Sequence, residues 1–199
     1  MKTNDFIFSY GLIIHNFFFV KKKYLKTLKK ILNTLIRFIK YNIKNIFSSE
    51  HQNIDNLHIK NKNFKYLFNR FNSDRAKTVI WGGKKIDGHN YTPFYEKYLK
   101  KYKNKKNLKI LEIGSLRGSS ATALYFYFLK PTIVCADISP FAIRYFGKKI
   151  RPIYIDTQSE KIIKKVAQYL NLEFDIIIDD GSHNIKDQLI CLKCLFPSL

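Results

Sequence analysis

The sequence predicts an α/β fold in which a parallel sheet of about four strands is covered by helices on both faces. Two observations predict it. From Leu108 onward, short apolar segments rich in Ile, Val and Leu alternate with segments long enough to form helices. Polar residues that are unusual in a buried strand stand at the end of each apolar segment. Strands that are apolar throughout, rather than alternating with polar residues, indicate a parallel sheet buried on both sides.

Four strands and four helices follow in order. The strand segments are LKILEIG (108–114), TIVCADI (132–138), 150–155 and FDIIIDD (174–180). The predicted helices are ATALYFYFL, a second one opened by Ser139-Pro140, SEKIIKKVAQYL and NIKDQLICLKCLF. This alternation is typical of a Rossmann-like sheet, here with about four strands.

Charge divides the chain of 199 residues into unlike parts. The formal net charge is +21, and residues 1–107 hold 24 basic and 6 acidic side chains against 12 and 9 in residues 108–199. We therefore separate a basic segment (1–49), a linker with lead-in helices (50–107) and the α/β domain (108–199). Three cysteines without a regular spacing exclude a disulfide-stapled secreted scaffold and favour the cytoplasm.

The basic N-terminal segment contains a predicted amphipathic helix over residues 24–47. Apolar residues recur every three or four positions from Leu25 to Ile46, and Lys and Arg occupy the remaining surface. Together with the uncharged run Phe6–Val20, this pattern is typical of attachment to an anionic membrane surface, here through residues 6–47 on the inner face. The alternative is a helix that packs on its own domain or on a second copy in a homo-oligomer. Nucleic acid is not favoured as a partner, because the sequence has no zinc finger, helix-turn-helix or aromatic RNA-binding strand signature.

Five residues at the strand ends predict a nucleotide-like cofactor. Parallel α/β sheets bind ligands at the carboxyl ends of their strands. Gly114 and Gly118 allow the backbone to approach a ligand closely. Asp137 is placed to accept hydrogen bonds from a ribose diol, and Asp156 could accept one from the exocyclic amine of adenine. The predicted cofactor-binding residues are Glu112, Gly114, Gly118, Asp137 and Asp156.

These segments resemble the motifs of class I S-adenosylmethionine-dependent methyltransferases. ILEIGSLRG is similar to their first motif, VCADI to the second, YIDTQS to the third and FDIIIDDGSH to the fourth. Leu116 stands where many members have a glycine. The spacing E-x-G-x-x-x-G favours this family over nicotinamide-dependent dehydrogenases, whose fingerprint is G-x-G-x-x-G.

A narrower resemblance concerns HNYTPFYEKYL, DDGSH and LFPSL, which are similar to the metal-dependent sugar O-methyltransferases of macrolide biosynthesis. The resemblance implies S-adenosylmethionine as cofactor, Mg²⁺ bound by Asp179 and Asp180, and His183 as the catalytic base. The acceptor would be a hydroxyl group of a sugar or another natural product. A metal-bound hydroxyl loses its proton more easily, and His can accept that proton near neutral pH.

The family's sheet has seven strands, so we expect this chain to be a C-terminally truncated fragment. The alternative to an active O-methyltransferase is a catalytically inactive cofactor-binding fragment. Its basic N-terminal helix would tether it to a membrane or to a partner.

Overall fold

The structure, a computed structural model, describes residues 3–16, 32, 36, 52–171 and 173–199. The predicted helix over 24–47 therefore lies outside the described residues, except for Leu32 and Ile36. In the described part, the helices are α1 (Thr3–His15), α2 (Phe64–Arg70), α3 (Thr92–Leu99), α4 (Ser119–Tyr127), α5 (Glu160–Leu170) and α6 (Ile185–Leu195). The strands are β1 (Gln52–Asn53), β2 (Thr78–Trp81), β3 (Lys84–Asp87), β4 (Lys109–Ile113), β5 (Thr132–Asp137), β6 (Tyr145–Phe146), β7 (Ile150–Tyr154) and β8 (Ile176–Asp179).

The central sheet has the order β7-β5-β4-β8, and all its strands are parallel. These are the four predicted strands, so the predicted Rossmann-like sheet is confirmed. Ile113 pairs with Ala136 on one side and with Asp179 on the other, which aligns the carboxyl ends of the strands. The chain adds strands outward from β4 to β7 and then crosses to the opposite side for β8.

Helices cover both faces of the sheet, as the sequence predicts. Successive residues of β4 point to opposite faces. Ile110 belongs to a core cluster shared with α2, α3 and α4, and Leu111 belongs to a second cluster shared with α1, α5 and α6. The apolar character of the strands is explained by this burial on two sides.

The lead-in region packs directly on the sheet's helices. Phe64 of α2 stacks on Tyr127 of α4 with the ring centroids 3.6 Å apart, and it meets Tyr95 of α3 edge-on at 5.5 Å. Phe71 stacks on Phe126 in the same cluster. Residues 52–107 thus share a core with the α/β domain. Between α2 and α3, β2 and β3 form an antiparallel hairpin.

The prediction of a helix that begins at Ser139-Pro140 is wrong. The structure has only a 3₁₀ turn, Pro140–Ala142, followed by β6, which pairs in parallel with β1. Ile143 adopts an extended backbone and is buried, and its side chain fills the space beside Gly118, where a Cβ would lie 2.7 Å from it. Burial of this residue and the pairing with β1 outweigh the helix-start signal of the proline.

Helix α1 covers the edge strand β7. Asp5 accepts hydrogen bonds from Arg151 Nε (3.0 Å) and Nη2 (2.8 Å) and from the Tyr169 hydroxyl (2.9 Å). Ser9 Oγ accepts one from the outward backbone N–H of Tyr154, at 3.0 Å. An edge strand exposes unpaired backbone groups, and α1 satisfies one of them. The described part of the run Phe6–Val20 is therefore packed on the protein's own domain.

No helix within the described ranges is long and apolar enough to cross a membrane. The predicted attachment of residues 6–47 to a membrane surface is a separate matter, because most of that segment lies outside these ranges.

Asp5→Asn should destabilise the protein by about 3 kcal/mol, because it leaves the Arg151 guanidinium without its charged partner in a largely buried setting. Asp5 is 1% exposed. The matched control is Glu160→Gln, which breaks a solvent-exposed pair with Lys164 and should change the stability far less. Chemical denaturation of both variants measures the difference. Equal stability of the two variants would contradict the structural role of α1.

Candidate functional site

Two adjoining cavities open at the carboxyl ends of the central strands. The first, of about 330 Å³, lies between the strand ends and residues 71–81 with His89, and the second, of about 280 Å³, lies beside β5 and β7. Gly114, Asp137 and Gly181 line both. The shared wall lies between β4 and β8, where the strand order reverses, which is the usual ligand site of such sheets.

The structure brings most of the predicted site residues together at these cavities. Those that line a cavity are Gly114 and Asp137 in both, Asp156 in the second, and Asp180 and His183 in the first. Those that line neither are Glu112, Gly118 and Asp179. Glu112 is fully buried on β4, and Gly118 is the N-cap residue of α4.

Gly114 brings the loop after β4 into close contact with the loop after β8. Its φ is +80°, and a Cβ at this position would overlap the backbone carbonyl of Asp180. Only glycine meets both conditions without strain. The residue thus fixes the separation of the two loops that form the shared wall.

Asp137 organises the glycine-containing loop. Its Oδ2 accepts a hydrogen bond from the N–H of Leu116 (2.8 Å), and its Oδ1 accepts one from the N–H of Ser139 (2.7 Å). A carboxylate oxygen can accept more than one hydrogen bond, so both keep capacity for a ligand hydroxyl. Leu116 has φ of +44°, in a region that residues other than glycine rarely adopt, and its hydrogen bond to Asp137 holds it there.

Asp156 is held by a residue that the sequence did not single out. Asn16, just beyond α1, donates through Nδ2 to Asp156 Oδ2 (2.7 Å) and to the Tyr154 hydroxyl (2.8 Å). The N–H of Gln158 donates to Asp156 Oδ1 at 3.1 Å. The end of α1 therefore supports the second cavity, which no local pattern around Asn16 could indicate.

Arg75 is the centre of a buried ion-pair network behind the first cavity. Its Nη2 lies 2.8 Å from Asp180 Oδ2 and 3.2 Å from Glu112 Oε1, and its Nε donates to the Tyr95 hydroxyl at 2.7 Å. Ser120 donates to the same Glu112 oxygen at 2.5 Å. Arg75 is only 4% exposed, so these contacts are largely shielded from solvent.

Burial and the charges of the network together shift the pKa values of Arg75, Tyr95 and Asp180. Burial lowers the pKa of Arg75, but the attraction of Glu112, Tyr95 and Asp180 outweighs it, and the net pKa is raised. Burial raises the pKa of Tyr95 to about 12. Burial also raises the pKa of Asp180, although the Arg75 charge opposes this.

Asp179 and Asp180, the predicted metal ligands, have different surroundings. Asp180 faces Arg75 in the first cavity, whereas Asp179 accepts from the N–H of Gly181 (3.1 Å) and lies beside the Cys191 thiol in an apolar groove. Burial and the nearby Asp179 raise the pKa of that thiol to about 12.

In this structure Asp180 and Asp179 line different cavities, so the two carboxylates do not face one common site. In the part of the chain that the structure describes, no three His, Cys, Asp or Glu residues are grouped to hold a metal ion. Magnesium needs several oxygen ligands in octahedral geometry. Its binding by Asp179 and Asp180 stays a prediction.

His183 projects into the first cavity from a left-handed turn. Its φ is +56°, its side chain is 70% exposed, and its Nε2 lies 3.7 Å from Asp180 Oδ1. Helix α6 begins two residues later, with Asn184 as its N-cap. The imidazole is therefore accessible to a ligand and adjacent to a carboxylate.

Sequence reasoning missed the basic and aromatic wall of the first cavity. Arg75, Trp81, Arg117 and Arg144 all line it, and the Arg117 guanidinium lies 5.5 Å from the centroid of the Trp81 ring. None of these residues belongs to a motif except Arg117, which lies within ILEIGSLRG. Among 36 basic residues, sequence alone could not separate Arg75 from the rest.

Comparison with known proteins gives a partial structural likeness. No family model and no curated protein matches the chain. Two solved structures are similar to it: MycE methyltransferase from the mycinamycin biosynthetic pathway in complex with Mg, SAH and mycinamycin VI, and the same enzyme with Mg and SAH. Each has a TM-score of 0.43 and 26% sequence identity, and the match covers 55% of this chain. The match spans only 29% of the MycE chain.

Arg75→Met should destabilise the protein by about 3–5 kcal/mol, because it leaves Glu112 and Asp180 buried and uncompensated. Arg75→Lys should recover only part of the loss, since one ammonium cannot reproduce the contacts of a planar guanidinium. Arg70→Met, at an exposed position of α2, is the control. Thermal and denaturant unfolding measure all three. An Arg75→Met variant as stable as the control would contradict the importance of this network.

Proposed function

We propose that the chain belongs to an S-adenosylmethionine-dependent O-methyltransferase that acts on a hydroxyl group of a sugar or another natural product. One observation carries the proposal: Gly114, Asp137 and Asp156 line adjoining cavities at the point where the strand order reverses. The motif resemblance names the cofactor that such a site would take. The acceptor class rests on that resemblance alone.

The second cavity suits the adenosine part of the cofactor. We assign Asp156, which lines this cavity, to the adenine amine, and Asp137, at the boundary of the two cavities, to the ribose hydroxyls. The buried Ile155 and the exposed Ile138 supply apolar contacts to the same cavity. The amino-acid part of the cofactor would then pass Gly114 toward the first cavity, which also holds the acceptor.

The bound cofactor supplies a methyl group on a positively charged sulfur, which is already reactive toward an oxygen nucleophile. The chain's residues must position the acceptor hydroxyl and remove its proton. His183 is the only histidine besides His89 that lines the first cavity, within the described ranges. We assign His183 as the base, with Asp180 Oδ1 3.7 Å from its Nε2 as the nearest carboxylate oxygen that the structure records beside the imidazole.

An inactive cofactor-binding fragment is the second candidate. It is favoured by the ion pair of the Asp180 carboxylate with Arg75, which leaves that carboxylate less available to assist a base at His183. Both candidates bind the cofactor, but only the first turns it over. In this second candidate, residues 6–47 would tether the fragment to a membrane or to a second copy of the chain.

Asp137→Asn should weaken binding of S-adenosylhomocysteine about tenfold or more, because a hydrogen bond to a charged acceptor contributes about 1.5–3 kcal/mol. Calorimetry with the 2′-deoxy analogue identifies the contact: the analogue should bind the unaltered protein more weakly but lose little further affinity in the variant. Asp175→Asn, which alters the carboxylate that accepts from the N–H of Lys109 at the other end of β4, is the control. If Asp137→Asn lowered the affinities for S-adenosylhomocysteine and for its 2′-deoxy analogue by the same factor, Asp137 would not bind the ribose hydroxyl.

His183→Ala should lower the methylation rate about 100-fold or more while leaving S-adenosylhomocysteine affinity unchanged, because general-base catalysis contributes roughly 10²–10⁴-fold. The rate is measured by methyl transfer to a panel of glycosides. His89→Ala, at the other histidine that lines the cavity among the described residues, is the control and should lower the rate less. An active His183→Ala protein would exclude the base role.

Removal of divalent cations tests the predicted Mg²⁺ site independently of the roles assigned to Asp137 and His183. If Asp179 and Asp180 bind Mg²⁺, a chelator should abolish methyl transfer, added Mg²⁺ should restore it, and Asp180→Asn should weaken the response to Mg²⁺. Full activity in the presence of the chelator would exclude the metal role and leave the cofactor assignment intact.

A further inference from the structure

Helix α3 exposes an aromatic stripe on its outer face. Phe94 is 59% exposed and Tyr98 is 49% exposed, and Tyr91, just before the helix, is 43% exposed. These positions are three and four residues apart, which places them on one side of the helix. The rings of Phe94 and Tyr98 contact each other, with centroids 4.6 Å apart. This is a continuous apolar surface rather than a set of scattered residues.

The opposite face of α3 is firmly packed, so the outer stripe is presented by a fixed helix. Tyr95 is 6% exposed, contacts Phe64 and Phe68, and accepts the hydrogen bond from Arg75. Leu99 and Tyr102 are partly buried against the same core. Because α3 is anchored through these inward residues, Phe94 and Tyr98 stay on its outer side.

Lysines surround the aromatic stripe. Six lysines occur between residues 97 and 106, and Lys105 is the one of them that pairs with a carboxylate in the described part of the chain. Lys97 Nζ lies 5.2 Å from the Tyr98 ring centroid, and Lys101 Nζ lies 4.9 Å from that of Tyr102. Lys97 and Lys101 follow Phe94 and Tyr98 by three residues each, so the charges and the rings share one face.

We propose that this face of α3 binds an anionic lipid membrane surface. Aromatic rings insert at the level of the lipid headgroups, and lysines beside them are attracted to anionic lipids. Exposed rings fit this partner, and so do lysines on the same face that pair with no carboxylate among the described residues. The surface is distinct from residues 6–47, and the proposal does not depend on the proposed enzymatic function.

Nucleic acid fits this face less well. Proteins that bind single strands offer open ring faces for base stacking within a basic groove. Here the Tyr98 ring already has Lys97 over it, and Phe94 and Tyr98 are tilted 45° against each other rather than separated. A convex helix with rings in mutual contact suits insertion into an interface better than stacking with bases.

The stripe begins close to the first cavity. His89, which lines that cavity, stacks on Tyr91 with the ring centroids 5.2 Å apart. Attachment through α3 would therefore hold the open side of the cavity near the membrane surface.

A local fluorescence probe tests the proposal in the full chain. Trp81 is the only tryptophan, so Trp81→Phe combined with Phe94→Trp places a single indole on the stripe. With vesicles in which about a third of the lipid is phosphatidylserine, its emission should shift to the blue and be quenched by brominated lipid. Trp81→Phe combined with Tyr66→Trp, on α2, is the control and should show neither effect.

Charge variants give a second, quantitative readout. Lys97→Gln with Lys101→Gln should lower the vesicle partition coefficient about 25-fold, at about fivefold for each lysine. Lys148→Gln with Lys149→Gln removes the same charge from another exposed segment and should change it little. The contribution of residues 6–47 is common to both variants and cancels in the comparison.

Three results would overturn the proposal. One is an indole at position 94 that does not respond to anionic vesicles. Another is an equal loss of partitioning in the two lysine variants, which would indicate an effect of total charge. The third is an emission shift of that indole with a single-stranded oligonucleotide but not with vesicles, which would assign the face to nucleic acid.

Discussion

The contact of Arg75 with Glu112 and Asp180 is the interaction on which the site depends. It joins three parts of the chain: the lead-in region, the first central strand and the loop after the fourth. Buried carboxylates are costly unless they are paired, and one guanidinium here faces two of them. Because Arg75 also donates to Tyr95, the orientation of α3 is coupled to the strand ends. The first cavity exists because this network holds its two walls together.

The network also limits what Asp180 can do. Its Oδ2 is engaged by Arg75, which leaves Oδ1 as the oxygen that faces His183. Any other cation at Asp180 would have to share the carboxylate with a guanidinium that is fixed by two further partners. The chemistry of this aspartate is therefore set by a residue more than a hundred positions earlier in the chain.

The sequence predicted the parts of the fold that follow from local composition. The four strands were identifiable because a strand buried on both faces is apolar at every position, and Asp137 and Asp156 stood out because they end such strands. The conformation of the crossover after β5 could not be predicted, because the pairing of β6 with β1 depends on residues 52–53, far away in the sequence. Arg75 and Asn16 were missed for the same reason: each acts through a partner more than 100 residues away.

The charges of the buried network are complementary to the cofactor that the site is proposed to bind. Glu112 and Asp180 contribute two negative charges when ionised, and Arg75 contributes one positive charge. Within the described residues, Glu112 Oε2 has no hydrogen-bond partner. We propose that the acidic groups behind Gly114 attract the ammonium and sulfonium groups of S-adenosylmethionine, and the low dielectric constant of a buried site would strengthen that attraction. Arg75 thus lowers the cost of burying two acids beside the proposed cofactor site, and it does so from a position that the cofactor itself would not occupy.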